Sequence, residues 1–348
     1  MPNPLDGVRV LDFTRLLPGA YATLLLADLG ADVIKIEDPR GGDGMRTMPT
    51  ARARPYFELL NRNKRSVTLD LRSPEAKSVV DALAAAADVA IDSFRPSTAR
   101  RLGVDAATLR AAHPRLVCAS ISGFGHDGPL AEVAGHDVNY QALAGLLRPP
   151  ALPGPLIGDI GAAMKAALAI LAALLERQRT GVGRAIDVTI HGAAADWAMF
   201  PTTDDFASPC YALYETADGE WLALGALEAK FWRAFCERIG RADLIPFQRA
   251  SGEEGDRVLR EVRGEMRTKT RGEWLAHFSG VDACLTPVLA PTAIANDSSG
   301  AKTAGGEPGA VEHRPHAAPA LGADTDAVLD AAGIDATRRA ALRRARVI

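Results

Sequence analysis

Apolar and polar positions fall along this chain in blocks that read as structural elements. Residues 8–13 set Val8, Val10, Leu11 and Phe13 around Arg9 and Asp12 and read as a buried strand. Pro18-Gly19 interrupts the chain, residues 20–29 have a helical composition, and Gly30 stands where a helix C-cap requires it. Residues 31–37 predict a second strand, so the opening is a βαβ unit and predicts a parallel sheet. Further strands are predicted over 67–71, 89–94, 116–122 and 184–190. Ser73-Pro74-Glu75 opens a helix, with Ser73 as N-cap and Pro74 at its first position. Residues 40–55, rich in Gly, Arg and Pro, read as a loop. Another helix opens after Gly135. The longest helical pattern covers 160–179 and is closed by Gly181-Val182-Gly183.

The pattern changes near residue 200. Residues 201–209 shift in composition and read as a linker. Apolar runs at 211–216 and 220–224 flank Ala217-Asp218-Gly219, which predicts a β-hairpin. Phe231, Trp232 and Phe235 mark a helix, two more helical patterns lie near 254–267 and 271–278, and 284–288 is a strand. Residues 290–319 are rich in Pro, Gly and Ser and are expected to wrap over the surface. The last helix covers 324–346, interrupted at Gly333. The fold expected is α/β. It has a Rossmann-like parallel-sheet large domain over 1–200, a small α+β domain with its linker over 201–289, and a return to the large domain over 290–348.

Composition narrows the function. The 348 residues are 47% apolar, enough for a sizeable core, and the net charge of -3 argues against a broad nucleic-acid surface. Cys118, Cys210, Cys236 and Cys284 contain no CxxC pair, so neither a zinc site nor a disulfide framework is expected, and a reducing cytoplasm fits. Met1-Pro2-Asn3-Pro4 leads straight into the first strand without the pattern of a secretory leader. The most apolar run, 162–175, carries Lys165 and falls short of the roughly 20 residues that span a bilayer. No metal and no membrane partner is expected.

Two short stretches carry candidate chemistry. Gly135-His136-Asp137 offers an imidazole at a helix start, and Ile157-Gly158-Asp159-Ile160 offers a carboxylate at another. Facing one carbon atom, such a pair could take a proton from one side and return it on the other. On the residues alone, His136 is equally a hydrogen-bonded core histidine, and Asp159 an ordinary N-cap. In a parallel sheet, ligands sit beyond the carboxyl ends of the strands. Lys35, Arg62, Lys64, Arg65 and Arg95 are placed there as candidates for a phosphorylated ligand, with a solvated surface run as the alternative. There is no GxGxxG turn, so the usual dinucleotide fingerprint is missing.

Longer motifs carry a family resemblance. PLDGVRVLDFTRLLPGAYATLLLADLGADVIKIEDP, NRNKRSVTLDLRS, SFRPSTARRLGV and SISGFGHDGP together resemble the family III CoA-transferases, the CaiB/BaiF family, and within it the α-methylacyl-CoA racemase branch. The resemblance implies an acyl-CoA thioester as substrate. Lys35, Arg62, Lys64, Arg65, Arg95, Gly125, Tyr140 and Gly158 would hold its coenzyme A part. No metal or redox cofactor is implied. It also implies a homodimer of interlocked chains, with each site shared between the large domain of one and the small domain of the other. In the racemases the aspartate matching Asp159 works with a histidine, here His136, oriented by a glutamate that matches Glu228. In the transferases that aspartate is a nucleophile forming an acyl anhydride.

The chemistry suits the racemase roles. A thioester acidifies its α-hydrogen only weakly, so abstraction needs a placed base and a stabilised enolate oxygen. An imidazole, with an ordinary pKa of about 6.5, can serve on one face. A carboxylic acid raised by burial can serve on the other. Backbone N–H groups around 158–162 are candidates for the enolate oxygen. Three departures stand out: Asp38 replaces an arginine expected to meet CoA phosphates, Ser93 and Ser97 replace the usual asparagine and glycine, and the segment between Thr189 and Tyr211 is short. A CoA-transferase and a non-catalytic CoA-ester binding protein remain the alternative readings.

Overall fold

The computed structural model describes residues 3–49, 53–201, 206–289 and 316–348. The described residues of Met1–Met199 and Glu307–Ile348 form one compact unit, and those of Phe200–Gly306 a second. In the first, β1 (Arg9–Asp12), α1 (Leu16–Asp28) and β2 (Asp32–Glu37) make the opening βαβ unit. α2 (Gly44–Thr47) and α3 (Ala53–Leu60) lead to β3 (Lys64–Thr68), and α4 (Ala76–Ala85) to β4 (Val89–Asp92). α5 (Pro96–Leu102) and α6 (Ala106–Ala112) lead to β5 (Val117–Ser122). α7 (Asp137–Leu143) and α8 (Ile157–Thr180) precede β6 (Ala185–Thr189) and α9 (Ile190–Ala198).

The six strands form one sheet in the order β3-β2-β1-β4-β5-β6, and every adjacent pair is parallel. That order reverses direction between β1 and β4, which leaves a crevice at the carboxyl ends of those two strands. Alternation along the strands divides the core. Val10, Val33, Val89 and Val117 face α1 and α8, whereas Leu11, Ile34, Ala90 and Cys118 face α4 and α6. Both faces are therefore covered, as an all-parallel sheet requires. α8 is long and apolar enough to cross a membrane, yet half of that apolar window is buried. Ala162, Ala163, Ala166 and Ala167 share a core cluster with Ala22 and Leu26 of α1. The small residues at its start thus serve close helix packing.

Residues 40–55 depart from the loop expectation. Asp43 accepts from the Met45 N–H (2.9 Å) and caps α2, and Phe57 and Leu60 of α3 pack with Leu24 and Met45. Gly, Arg and Pro content concealed two amphipathic pieces too short for a clear period. β3 also begins earlier than expected, at Lys64. Residues 290–315, most of the expected surface wrap, lie outside the described residues. Beyond them, α13 (Thr325–Ala331) and α14 (Ala336–Arg344) replace the single interrupted helix. Val328, Leu329 and Leu342 join the second face of the core, and Asp324 accepts from Ser66 N of β3 (2.9 Å).

The second unit is an antiparallel sheet of β7 (Tyr211–Glu215), β8 (Trp221–Gly225) and β9 (Leu285–Pro287), with α10 (Ala229–Arg238), α11 (Gly252–Met266) and α12 (Arg271–His277). Tyr214, Leu222, Trp232, Phe235 and Trp274 make its core. The buried polar tips are satisfied: Trp274 Nε1 donates to the Met266 carbonyl (2.8 Å) and Tyr214 Oη to that of Pro209 (2.6 Å).

A close backbone approach joins β5 to the turn before β6. Gly183 N donates to the Pro114 carbonyl (2.9 Å), and a Cβ on Gly183 would lie 2.1 Å from the Leu116 oxygen. Gly183→Ala is expected to cost ~1–3 kcal/mol through forced backbone displacement. Urea denaturation should show a lower midpoint with an unchanged slope.

Candidate active site

The carboxyl ends of the strands meet at a cavity of about 310 Å³. Arg15 enters it from the end of β1, Ser93, Phe94 and Arg95 from β4, and Ile121, Ser122 and Gly123 from β5. His136 and Tyr140 come from the start of α7, and Asp159 from the first turn of α8. The cavity thus sits at the reversal of strand order, where open α/β sheets bind ligands.

The helix starts explain how the two titratable groups arrive. α8 begins at Ile157, earlier than the sequence pattern indicated, so Asp159 lies inside the first turn and is not the N-cap. Capping comes from another helix. Asp137, buried at the start of α7, accepts from Asp159 N with Oδ1 (2.9 Å) and from Gln141 Nε2 with Oδ2. A Cβ on Gly158 would come within 2.9 Å of that Oδ1, so the bond needs glycine there. Among the described residues no hydrogen bond or ion pair holds the Asp159 side chain. Burial and then the Asp137 charge push its pKa up to about 7.

His136 precedes α7 in an extended conformation and is exposed at the cavity. It is therefore not a core histidine. Its N–H donates to Asn139 Oδ1 (3.0 Å) and its carbonyl accepts from Asn139 N–H (2.8 Å). Tyr140 supports the turn: its hydroxyl donates to the Gly135 carbonyl (2.9 Å). Its ring lies so close to Gly123 and Gly135 that a Cβ on either would fall within 3.0 Å of it.

A family model described as CoA-transferase family III matches residues 5–321. The chain belongs to CoA-transferase family III. The human α-methylacyl-CoA racemase is 33% identical over 309 residues, 82% of this chain and 78% of the relative. A succinyl-CoA–D-citramalate CoA-transferase of Chloroflexus aurantiacus is 36% identical over 267 residues, 70% of this chain and 66% of the relative. Among solved structures, a CaiB/BaiF family protein from Brucella suis superposes with a TM-score of 0.79 at 26% identity, covering 95% of this chain and 100% of that one.

The family III fold keeps only some of the proposed ligand residues at the cavity. Arg95 and Tyr140 line it, and Gly158 adjoins it by carrying Asp159. Gly125, with φ 91, donates its N–H to Ser122 Oγ (2.9 Å) and shapes the loop after β5. Lys35 and Lys64 are corrections. Lys35 is fully buried, paired with Asp43 (3.0 Å) and donating to the Thr14 carbonyl (3.0 Å). Lys64 is equally enclosed, bound to Asp12 (3.3 Å), the Ala20 carbonyl (2.9 Å), Thr23 Oγ1 (2.7 Å) and Asn61 Oδ1 (3.0 Å). Neither lysine lines the cavity. Arg62 pairs with Asp28, at the end of α1, and Arg65 with Asp32 (3.4 Å), at the start of β2. Both lie at the amino edge of the sheet, opposite the cavity.

Of the backbone donors proposed for an enolate, Asp159 N bonds Asp137 and Ile160 N bonds the Leu156 carbonyl (3.0 Å). Glu228 belongs to the second unit, where it is the exposed N-cap residue of α10 without a side-chain cap bond. Two residues were missed. Arg15 lines the cavity, and its only sequence signal was its place just past the first strand. Asp137 was visible as the neighbour of His136, but its bond across to Asp159 was not.

A pKa near 7 has a cost for stability. The ordinary value is 3.8, so the folded state favours the protonated acid. The penalty is absent below about pH 4, grows as pH rises through about 7, and is complete above it. Asp159→Asn is expected to stabilise the protein by ~2–4 kcal/mol at pH 8 and by little at pH 4. Thermal melts at the two pH values measure this.

Proposed function

We propose that the chain is a racemase or epimerase of 2-methyl-branched acyl-CoA thioesters. The observation that carries this reading is that His136 and Asp159 line one cavity while Asp159 titrates near neutrality. A group with a pKa near the working pH can both remove and deliver protons, which a two-sided proton transfer demands. One residue takes the α-hydrogen, leaving an enolate, and the other donates to the opposite face. In the reverse direction the roles exchange. The thioester carbonyl carries the negative charge in between. Coenzyme A enters as part of the substrate, and the reading involves no metal or redox group.

The family resemblance extends the reading to a homodimer of interlocked chains. There Glu228 of one chain accepts from the second imidazole nitrogen of His136 in the other, fixing its tautomer. Glu228 suits that role because it is exposed and its carboxylate does not cap its own helix. A cytoplasmic location accords with four free thiols. The relatives include CoA-transferases, and an Asp159 nucleophile is the second reading, since its carboxylate is otherwise unengaged.

Incubation with 2-methylacyl-CoA esters in deuterated water should place deuterium at the α-carbon, followed by NMR. His136→Ala and Asp159→Ala should each slow the exchange about 10²–10⁴-fold. Absence of exchange with every ester tested would sink the racemase reading. Hydroxylamine capture of an acyl group on Asp159, with His136→Ala tolerated, would establish the transferase instead.

A further inference from the structure

The backbone around Arg15 is fixed from both sides. Its N–H donates to Ser93 Oγ (2.9 Å), and that hydroxyl donates to the Arg15 carbonyl (3.3 Å). On one side, the Thr14 carbonyl accepts from buried Lys35 Nζ (3.0 Å), and Thr14 N and Oγ1 donate to Asp12 Oδ1 (2.9 and 2.5 Å). On the other, Leu16 N donates to Asp43 Oδ2 (3.3 Å), the same oxygen that pairs with Lys35 (3.0 Å). Leu16 has φ 61, a left-handed conformation that a leucine rarely adopts and that its surroundings must hold. Thr14 also presses on the first turn of α1, where a Cβ on Gly19 would come within 2.1 Å of it.

The guanidinium held this way is exposed. It lies over the Phe94 ring at 5.1 Å and has no ion pair among the described residues. It lines both the main cavity and a second one of about 230 Å³ at the ends of β2 and β3. The acids lining that second cavity pair with other arginines, Glu37 with Arg46 (2.7 Å), Asp38 with Arg40 (2.9 Å) and Arg72 (2.8 Å), and Asp70 with Arg72 (2.9 Å), and the Arg15 charge adds to the lowering of the Asp38 pKa without pairing with it. A planar cation, stacked on an aromatic ring and fixed at its backbone, is prepared for a bidentate oxyanion. A buried Lys–Asp pair is a costly way to build a turn unless the turn must hold one shape.

We propose that Arg15 contacts a phosphate of the acyl-CoA, and that Lys35, Asp43 and Ser93 are positioning residues that act through it. The inference rests on the acyl-CoA reading above. Lys35 thereby gains a role in ligand binding without touching the ligand. Ser93, a departure from the family pattern, becomes the group that grips the Arg15 backbone.

Calorimetric titration with coenzyme A alone tests this. Arg15→Ala should weaken binding about 10–100-fold, with Arg15→Lys intermediate. Ser93→Ala and Asp43→Asn should each weaken it about 3–10-fold, the size of a misplaced hydrogen bond to a charged group. In the Arg15→Ala background neither should have any further effect, because the residue they act through is gone. In turnover with the acyl-CoA, the loss should fall on KM. Ser93→Ala keeps the test open if Asp43→Asn fails to fold. Unchanged affinity in Arg15→Ala, or additive losses in the double variants, overturns the inference while leaving the acyl-CoA reading intact. A parent protein that binds no coenzyme A overturns both.

Discussion

Asp137 ties together the two titratable groups, His136 and Asp159, that line the cavity. It is the first residue of α7, directly after His136, and its carboxylate accepts the Asp159 N–H in the first turn of α8. One bond therefore sets the spacing between an imidazole on one helix start and a carboxyl on another. The same negative charge, held beside Asp159 in a half-buried setting, adds to burial in raising the Asp159 pKa to about 7. The bond exists because Gly158 leaves room for it. It also explains why, among the described residues, the Asp159 side chain makes no hydrogen bond: the capping duty of a first-turn acid has been taken over by a neighbour.

The sheet provides the frame for that contact. Parallel order β3-β2-β1-β4-β5-β6 brings the ends of β1, β4 and β5 around a single crevice, and the helix starts of α7 and α8 open onto it. Close packing of small residues between α1 and α8 holds the second of these in place. Tyr140, wedged against Gly123 and Gly135, fixes the turn that carries His136. Membership of CoA-transferase family III is consistent with this frame, and the relatives show that the frame serves both racemases and CoA-transferases.

Charge is distributed differently from what the linear pattern indicated. Lys35 and Lys64 are buried in a network with Asp12 and Asp43 beneath the β1–α1 turn. Burial works to lower the Lys35 pKa, but Asp12, Asp43 and Glu37 outweigh it and hold the ammonium charged. Removing one partner from such a pair costs roughly 3–5 kcal/mol, because the other charge is left buried alone. These lysines belong to the scaffold, and among the described residues Arg15 and Arg95 line the cavity.

Much of the architecture was legible in the sequence. Residues 8–13 and 31–37 announced β1 and β2, the Asp218-Gly219 turn announced the hairpin, and Gly181 marked the end of α8, because apolar period and turn chemistry are local properties. The same locality let the motifs at 4–39, 61–73, 93–104 and 120–129 carry the family resemblance. Residues 40–55 hid two short helices, since their order comes from the Asp43 cap and from packing against Leu24 and Met45. Which lysines face a ligand could not be read either. A run such as Asn61 to Ser66 has the same letters whether it lies at the amino or the carboxyl edge of a sheet. Strand register decided that Lys64 starts β3, beside Val33, with its ammonium turned inward to Asp12. Sequence thus determined most of the strands, the longer helices and which chemical groups the chain carries. The tertiary structure alone decided which of those groups meet, because burial and pairing are set by residues far apart along the chain.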